Sequence, residues 1–256
     1  MRLAAVAILG LLPMSGEAAC RQALALGLDV SGSVDDREYR LQTDGLAGAL
    51  LRGDVQDAFL AFPEAPIRVF VFEWAGAGNQ RVLIPWTEVQ SSEDLQGIAG
   101  RLRTTSRVPF EPTTGIGDAM IFGAAAANPQ NCWRATLDLS GDGESNSGPR
   151  PRDVKDDPIL GALTINGLVI GSDTVNLGAQ RQDEIGKLWA YYQTEVIKGP
   201  NAFVEVAVGF ENFEEVMARK LLKEMETLAV SSVSPLPTIS ASQNTGSNRL
   251  DFSASN

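Results

Sequence analysis

Residues 23–28 (ALALGL) form an apolar run of strand length that stops at Asp29, where the chain turns through DVSGS, residues 29–33. Such a run predicts a buried strand that delivers a polar loop at its end. Tyr39, Leu46 and Ala49 then recur at roughly helical spacing until Gly53 interrupts. A second helix is expected from Asp54 and Asp57, carrying Val55, Phe59 and Phe62 and stopped by Pro63 and Pro66. Residues 67–74 (IRVFVFEW) alternate and are rich in β-branched and aromatic side chains; RVLIPW returns after GAGN, which predicts a hairpin with Pro85 on an edge strand. Ser92 stands where it would cap a helix bearing Leu95, Ile98 and Leu102. After EPTTGIGDAM comes a helix of small residues (IFGAAAA), then a strand at 133–139 that ends in SGDGESNSG. A charged stretch around Asp153 to Lys155 leads to a strand at 163–170. A helix at about 183–197 carries Ile185, Leu188, Trp189, Tyr192 and Val196 on one face; a strand follows at 203–208. The last helix, at 213–228, has Asn212 and Glu215 placed as a capping pair and a stripe of Phe213, Met217, Leu221, Met225 and Leu228. Strands alternating with helices predict an α/β fold: a doubly wound, mostly parallel central sheet with helices on both faces and one antiparallel edge strand. Such sheets bind ligands beyond the carboxyl ends of their strands, and the aspartates of both polar loops fall at such ends.

The chain has 256 residues, 44% of them hydrophobic, enough to bury a full core in one large domain or two small ones. No internal repeat or second domain is visible. A net charge of −11 argues against nucleic acid as a partner, since no basic surplus is available to displace counterions. Residues 1–18 read as a secretory signal: Arg2 is the positive n-region, residues 3–12 the apolar segment, and Gly16 and Ala18 the small residues before the cut. The segment is too short to span a membrane, and no other run reaches membrane length. Cys20 follows two alanines, which invites a lipoprotein anchor, but Glu17 stands where that motif wants a leucine-like residue. A periplasmic or secreted domain over 19–230 is therefore expected, with 231–256, rich in Ser and Asn, as a disordered tail. In an oxidising compartment the pair Cys20 and Cys132 predicts one disulfide.

Asp29, Ser31 and Ser33 offer three hard oxygen ligands at one strand end, half of a magnesium-type site. Asp142, between Gly141 and Gly143, repeats the pattern of an apolar strand ending in an acidic turn. Alone, DVSGS reads equally well as a strand-to-loop turn whose Ser and Asp cap backbone groups.

Together the three polar segments resemble the von Willebrand factor type A domains. DVSGS matches their Asp-x-Ser-x-Ser motif, TGIGDAM is similar to their threonine loop, and SGDGES is similar to their second aspartate loop. The likeness runs over roughly residues 20–230 and is greatest to a bacterial group of exported, single-domain proteins of unknown function. It implies the von Willebrand A, Rossmann-like sheet and a metal-ion-dependent adhesion site. In that site Ser31, Ser33 and Thr114 would bind a cation directly or through water, and Asp29 and Asp142 would supply charge. Thr114 is preferred to Thr113 because it keeps the family's three-residue offset to Gly117. Magnesium is the expected cation, with calcium or manganese as substitutes, and the implied partner is a protein that presents a carboxylate. Glu111, Asp118 and Glu144 beside the loops read as solvated acids.

The sequence contains no histidine, which excludes Ser-His-Asp triads, Cys-His pairs and histidine zinc sites. No phosphate-binding GxxxxGK[ST] loop is present. A non-catalytic binding module is the leading expectation. The alternatives are a single-metal hydrolase using Asp29 or Asp142 as nucleophile or base, which lacks an obvious general acid or a Lys or Arg in its motif loops, Lys187 on a helix and Arg134 on a strand being the cations available, and a scaffold with a vestigial site. The cysteines test the register. Cys20 stands nine residues before Asp29, and Cys132 ten before Asp142. If the aspartates are level on neighbouring parallel strands, the cysteines are offset by one residue, at a Cα separation of about 6 Å.

Overall fold

The computed structural model describes residues 20–171 and 179–231; the expected signal segment and the chain beyond Ser231 lie outside the described residues. β1 (Gln22–Asp29) is buried along its whole length. It pairs in parallel with β2 (Ile67–Trp74) on one side and with β4 (Arg134–Gly141) on the other. β5 (Thr164–Ile170) and β6 (Val204–Ala207) extend the sheet in parallel beyond β4, and β3 (Gln80–Val89) closes the other edge antiparallel to β2. The order β3-β2-β1-β4-β5-β6 is the doubly wound, mostly parallel sheet with one antiparallel edge strand that the alternation predicts. The order reverses between β1 and β4, so the crevice above their carboxyl ends is the topological switch point, where such sheets bind ligands.

Two cores cover the sheet. Leu24, Leu26 and Leu28 of β1 face α1 (Asp36–Leu51), α2 (Gly53–Leu60), α3 (Ser92–Thr104) and α7 (Phe213–Ser231). Ala25 shares the other face with Leu137 and Leu139 of β4 and with Ile116, Met120 and Ala124 of α4 (Ile116–Ala127). The one-turn α5 (Pro151–Val154) and α6 (Ala179–Tyr191) complete the helices.

Several boundaries differ from expectation. Ser91, not Ser92, caps α3, because its hydroxyl accepts the Asp94 amide while Asp94 reaches back to the Ser91 amide. Phe62 falls past the end of α2 and is 43% exposed, with the Arg21 guanidinium over its ring. The helix expected at 183–197 ends at Tyr191 and runs into a π-helical turn, Tyr192–Val196. That wider turn shifts the helical phase. Tyr192 and Val196 are thereby buried, whereas Trp189, expected on the same face, is 42% exposed. In α7, Phe213, Met217, Leu221 and Met225 form the buried stripe as expected; the side chain of Leu228 lies outside the described residues. Ser231, expected in the tail, is the last residue of α7.

Cys20 and Cys132 are disulfide-bonded with Cα atoms 4.6 Å apart, closer than the offset geometry requires. The ladder explains the difference. Gln22 pairs with Arg134 and Leu28 with Ser140, so the cysteines two residues earlier are level, and it is Asp142 that stands one residue beyond Asp29. Buried polar contacts hold the same register. The Gln22 amide donates to Thr136 Oγ1 at 3.0 Å, and the Ser140 hydroxyl donates to the Gly27 carbonyl at 3.2 Å.

α7 brings a charged group into the core. Lys220 Nζ lies 2.9 Å from Asp138 Oδ1 and 2.9 Å from Glu224 Oε1, all three side chains being at most 1% exposed. Asn166 donates to the same glutamate oxygen at 2.9 Å. Two acids share one base, and burial pushes Asp138 up to about 7, with Lys220 opposing the shift and Glu224 adding to it.

Replacing both cysteines by serine should lower stability by roughly 5 kcal/mol on the chain-entropy model for a loop of this length, read as a shift of the urea midpoint. Asp138 keeps its proton to about 7 when folded, against roughly 4 when unfolded. Its contribution is therefore complete below about pH 4 and is lost as the pH climbs toward 7. Urea midpoints in chelator should fall across that window and fall less steeply in Asp138→Asn, the remaining slope belonging to Asp29, which burial also raises to about 7; an unchanged slope in the variant would assign the proton to another group.

Candidate metal centre

The polar residues at the switch point are held by backbone contacts between three loops. Val30 continues the pairing of β1 with β2, its amide donating to the Trp74 carbonyl at 2.9 Å. The chain then turns, and the Gly32 amide donates to the Pro112 carbonyl at 2.9 Å, which fastens DVSGS to the threonine loop. α1 starts immediately afterwards, capped by Asp35 in a reciprocal pair with Glu38. The threonine loop is fixed to the second aspartate loop in turn. The Thr114 amide donates to Asn146 Oδ1 at 2.8 Å, and the Thr114 carbonyl accepts the amides of Asn146 and Ser147 at 2.8 and 3.1 Å.

The side chains converge as follows. Asp29 is fully buried; its Oδ1 accepts the Ser31 amide at 2.8 Å, while Oδ2 has no hydrogen-bond partner. The hydroxyls of Ser31 and Ser33 are 3.3 Å apart, and Ser33 Oγ donates to Asp142 Oδ1 at 2.6 Å. Thr114 is 6% exposed and faces the same loop: a β-carbon on Gly143 would stand 3.9 Å from its Oγ1. Thr113 points elsewhere, its buried hydroxyl against Gly76. Asp29, Ser31, Ser33, Thr114 and Asp142 are thus assembled at one end of the sheet from three separate loops.

Electrostatically, the cluster is two acids with little compensation. Burial pushes Asp29 up to about 7, and the neighbouring Asp142 carboxylate adds to that shift. Asp142 is also raised by burial, against the hydrogen bond from Ser33. Among the described residues, no three His, Cys, Asp or Glu side chains gather as a metal site. Any hard cation held here would therefore draw largely on hydroxyl oxygens. Two carboxylates and three hydroxyls fit a hexacoordinate oxygen-loving ion that keeps some of its waters. The partnerless, buried Asp29 Oδ2 is an acceptor in need of a proton donor or a positive charge.

Several neighbours of the site carry no signal in the sequence. Gln42, nearly two turns into α1, donates to the Asp29 carbonyl at 2.9 Å and accepts the Ser140 hydroxyl at 3.1 Å, so one side chain spans both strand ends. Arg107 pairs with Asp36 at 3.0 Å and lies within 3.5 Å of the Val30 and Ser31 carbonyls. It lines a cleft of about 380 Å³ beside Ser31, with Val108, Phe110 and Pro112. The Ser145 amide donates to the Tyr191 hydroxyl at 3.2 Å. Of the two cations available to a hydrolase, Lys187 lines a second cleft of about 280 Å³ with Asp142 and Glu144. Arg134 starts β4, at the opposite end of the sheet. Asp118 is not a solvated acid: its Oδ2 is buried and packs against Gly148. Glu111 and Glu144 are exposed.

The sequence profile of a family described as "Protein of unknown function (DUF1194)" matches residues 19–229. No curated protein matches the chain. Among solved structures, proximal thread matrix protein 1 from the mussel byssus aligns with a TM-score of 0.54 at 15% identity, covering 82% of this chain and 47% of that one. A further structure of that mussel protein, described as having a zinc-occupied MIDAS motif, aligns with a TM-score of 0.54 at 14% identity, covering 82% and 47%. The pilus adhesin SpaC from Lactobacillus rhamnosus GG aligns with a TM-score of 0.52 at 14% identity, covering 82% and 31%. A von Willebrand factor type A protein from Catenulispora acidiphila gives 0.50 at 17%, covering 81% and 43%. The chain spans about half or less of the length of these proteins. At such identities the likeness is one of fold, the von Willebrand A fold.

The joint between loops is tight at Gly117, where a β-carbon would stand 2.1 Å from the Pro149 carbonyl oxygen. Gly117→Ala should push the 145–149 loop off α4 and lower stability by about 1–3 kcal/mol, measured by urea unfolding.

Proposed function

Because the chain belongs to the DUF1194 family and carries the von Willebrand A fold, we propose that it is an exported binding module with a divalent cation held at Asp29, Ser31, Ser33, Thr114 and Asp142. Its ligand is an acidic side chain of a protein partner. The observation that carries this reading is the convergence of the three loops: Ser33 bonds Asp142 at 2.6 Å beside a buried aspartate with a free oxygen. When bound, a cation such as magnesium would supply an electrophilic position open to a carboxylate. The chain's own residues do the rest. Ser31, Ser33 and Thr114 offer neutral oxygens, which leave a cation most of its charge, and Asp29 and Asp142 balance that charge from within the protein. The disulfide favours an extracytoplasmic location. We take residues 1–18 as the signal that directs export and the chain after Ser231 as a disordered tail.

The test is thermal melting of the mature protein in chelator and in magnesium, manganese or calcium. A ligand at about 100 times its Kd stabilises the fold by about 2.7 kcal/mol, so the wild type should melt several degrees higher in at least one cation. Ser33→Ala and Asp142→Ala should lose most of that shift. No shift with any of the three cations would leave the domain a scaffold with a vestigial site, and chelator-sensitive hydrolysis of phosphoesters would replace capture by catalysis.

A further inference from the structure

The geometry points to Tyr192 as a positioning residue of this site, its hydroxyl donating to Asp29 Oδ2 through one bridging water from within the core; the inference rests on the cation reading above. Tyr192 opens the π-helical turn after α6 and is fully buried on the α4 face of the sheet. Two glycines make room for it. A β-carbon on Gly167 of β5 would stand 2.7 Å from the Tyr192 ring, and one on Gly141 of β4 would stand 2.5 Å from its hydroxyl. The same Gly141 β-carbon would stand 2.9 Å from Asp29 Oδ2. The absent side chain thus leaves a small polar space flanked by a phenol oxygen and a carboxylate oxygen. Both of those atoms are buried and neither accepts or donates a direct hydrogen bond, to each other or to any neighbour, so the space between them is where a bridging water fits.

A phenylalanine would fill the apolar part of the slot without burying an unsatisfied hydroxyl, so packing alone gives the phenol oxygen no purpose. A donor aimed at Asp29 does. A carboxylate that accepts the Ser31 amide on one oxygen and a water held by the phenol on the other is fixed at both ends, with its orientation toward the cation set from behind. Tyr191, the preceding residue, anchors Ser145 in the second aspartate loop. The end of α6 therefore reaches both halves of the site. π-Helical turns recur at functional positions because the inserted residue re-aims the side chains around it, and here the turn turns Tyr192 inward while Trp189 stays partly exposed.

The test is titration of the chelator-stripped mature protein with magnesium chloride by calorimetry, paired with melting in chelator, for wild type, Tyr192→Phe, Gly141→Ala and the double variant. Loss of one hydrogen bond to a charged group should raise the magnesium Kd of Tyr192→Phe roughly tenfold while its melting temperature in chelator is not lowered. Gly141→Ala should also weaken binding, and by less in the Tyr192→Phe background, since both changes act on one contact. Equal magnesium affinity in wild type and Tyr192→Phe would overturn the role of Tyr192 and leave the cation site standing. A loss of affinity matched by a fall in the chelator melting temperature would make Tyr192 a packing residue and overturn it too. A wild type that binds no magnesium would overturn both readings together.

Discussion

The register between β1 and β4 is the constraint on which the rest depends. The disulfide sets it at the base, the contact from Gln22 to Thr136 repeats it one turn of the pleat higher, and Ser140 confirms it near the top through Gly27 and Gln42. A strand slipped by one residue presents its other face. Here that would turn Leu137 and Leu139 away from the α4 core and carry Asp142 away from Ser33. The oxygen cluster thus depends on strand alignment as well as on the loop contacts that hold it. Because the strand order reverses between these two strands, no helix crossover covers their carboxyl ends, and the crevice stays open to ligands.

What was legible in the sequence follows from how local each signal is. β1, β2, β4 and β5 are short apolar runs ended by polar turns, and a buried parallel strand announces itself in that way. The DVSGS and SGDGES loops were legible as well, since residues two or three apart on one turn are brought together by the turn itself. The π-helical turn at 192–196 was not, because its residues keep a helical apolar pattern and the shift in phase is imposed by Tyr192 entering the slot at Gly141 and Gly167. Gln42 was hidden for a related reason: a glutamine on a helix has no mark of burial until the opposing strand ends supply a carbonyl and a hydroxyl for it. The cysteine arithmetic located the bridge but assigned the one-residue offset to the wrong end, since spacing within each strand does not say which pair is level.

The molecule buries excess negative charge in two places and treats them differently. At the α7 face, Asp138 and Glu224 close on Lys220, so a base from the chain itself occupies the space between the acids. At the switch point, among the described residues, no such base enters. Arg107, the guanidinium beside DVSGS, is drawn to Asp36 and the backbone, and Arg81 is drawn to the buried Glu73 at 2.6 Å. Lys187 pairs with Asp183 along its own helix. Those cations are turned outward or sideways, and Asp29 and Asp142 are left as two buried acids linked through serine hydroxyls and backbone amides.

That contrast bears on how a ligand would be recognised. A lysine or arginine within the cluster would neutralise the aspartates permanently and leave nothing for an acidic partner to meet. An exchangeable ion held by neutral hydroxyls satisfies the same aspartates yet keeps charge to offer outward. In the cation reading, then, the site's affinity for a partner carboxylate depends on what the chain withholds: a third acid near the hydroxyls would spend that charge internally. Glu111 and Glu144, both solvent-exposed, add negative potential around the crevice, a placement that draws cations in by the general field and leaves the hydroxyls as the donors.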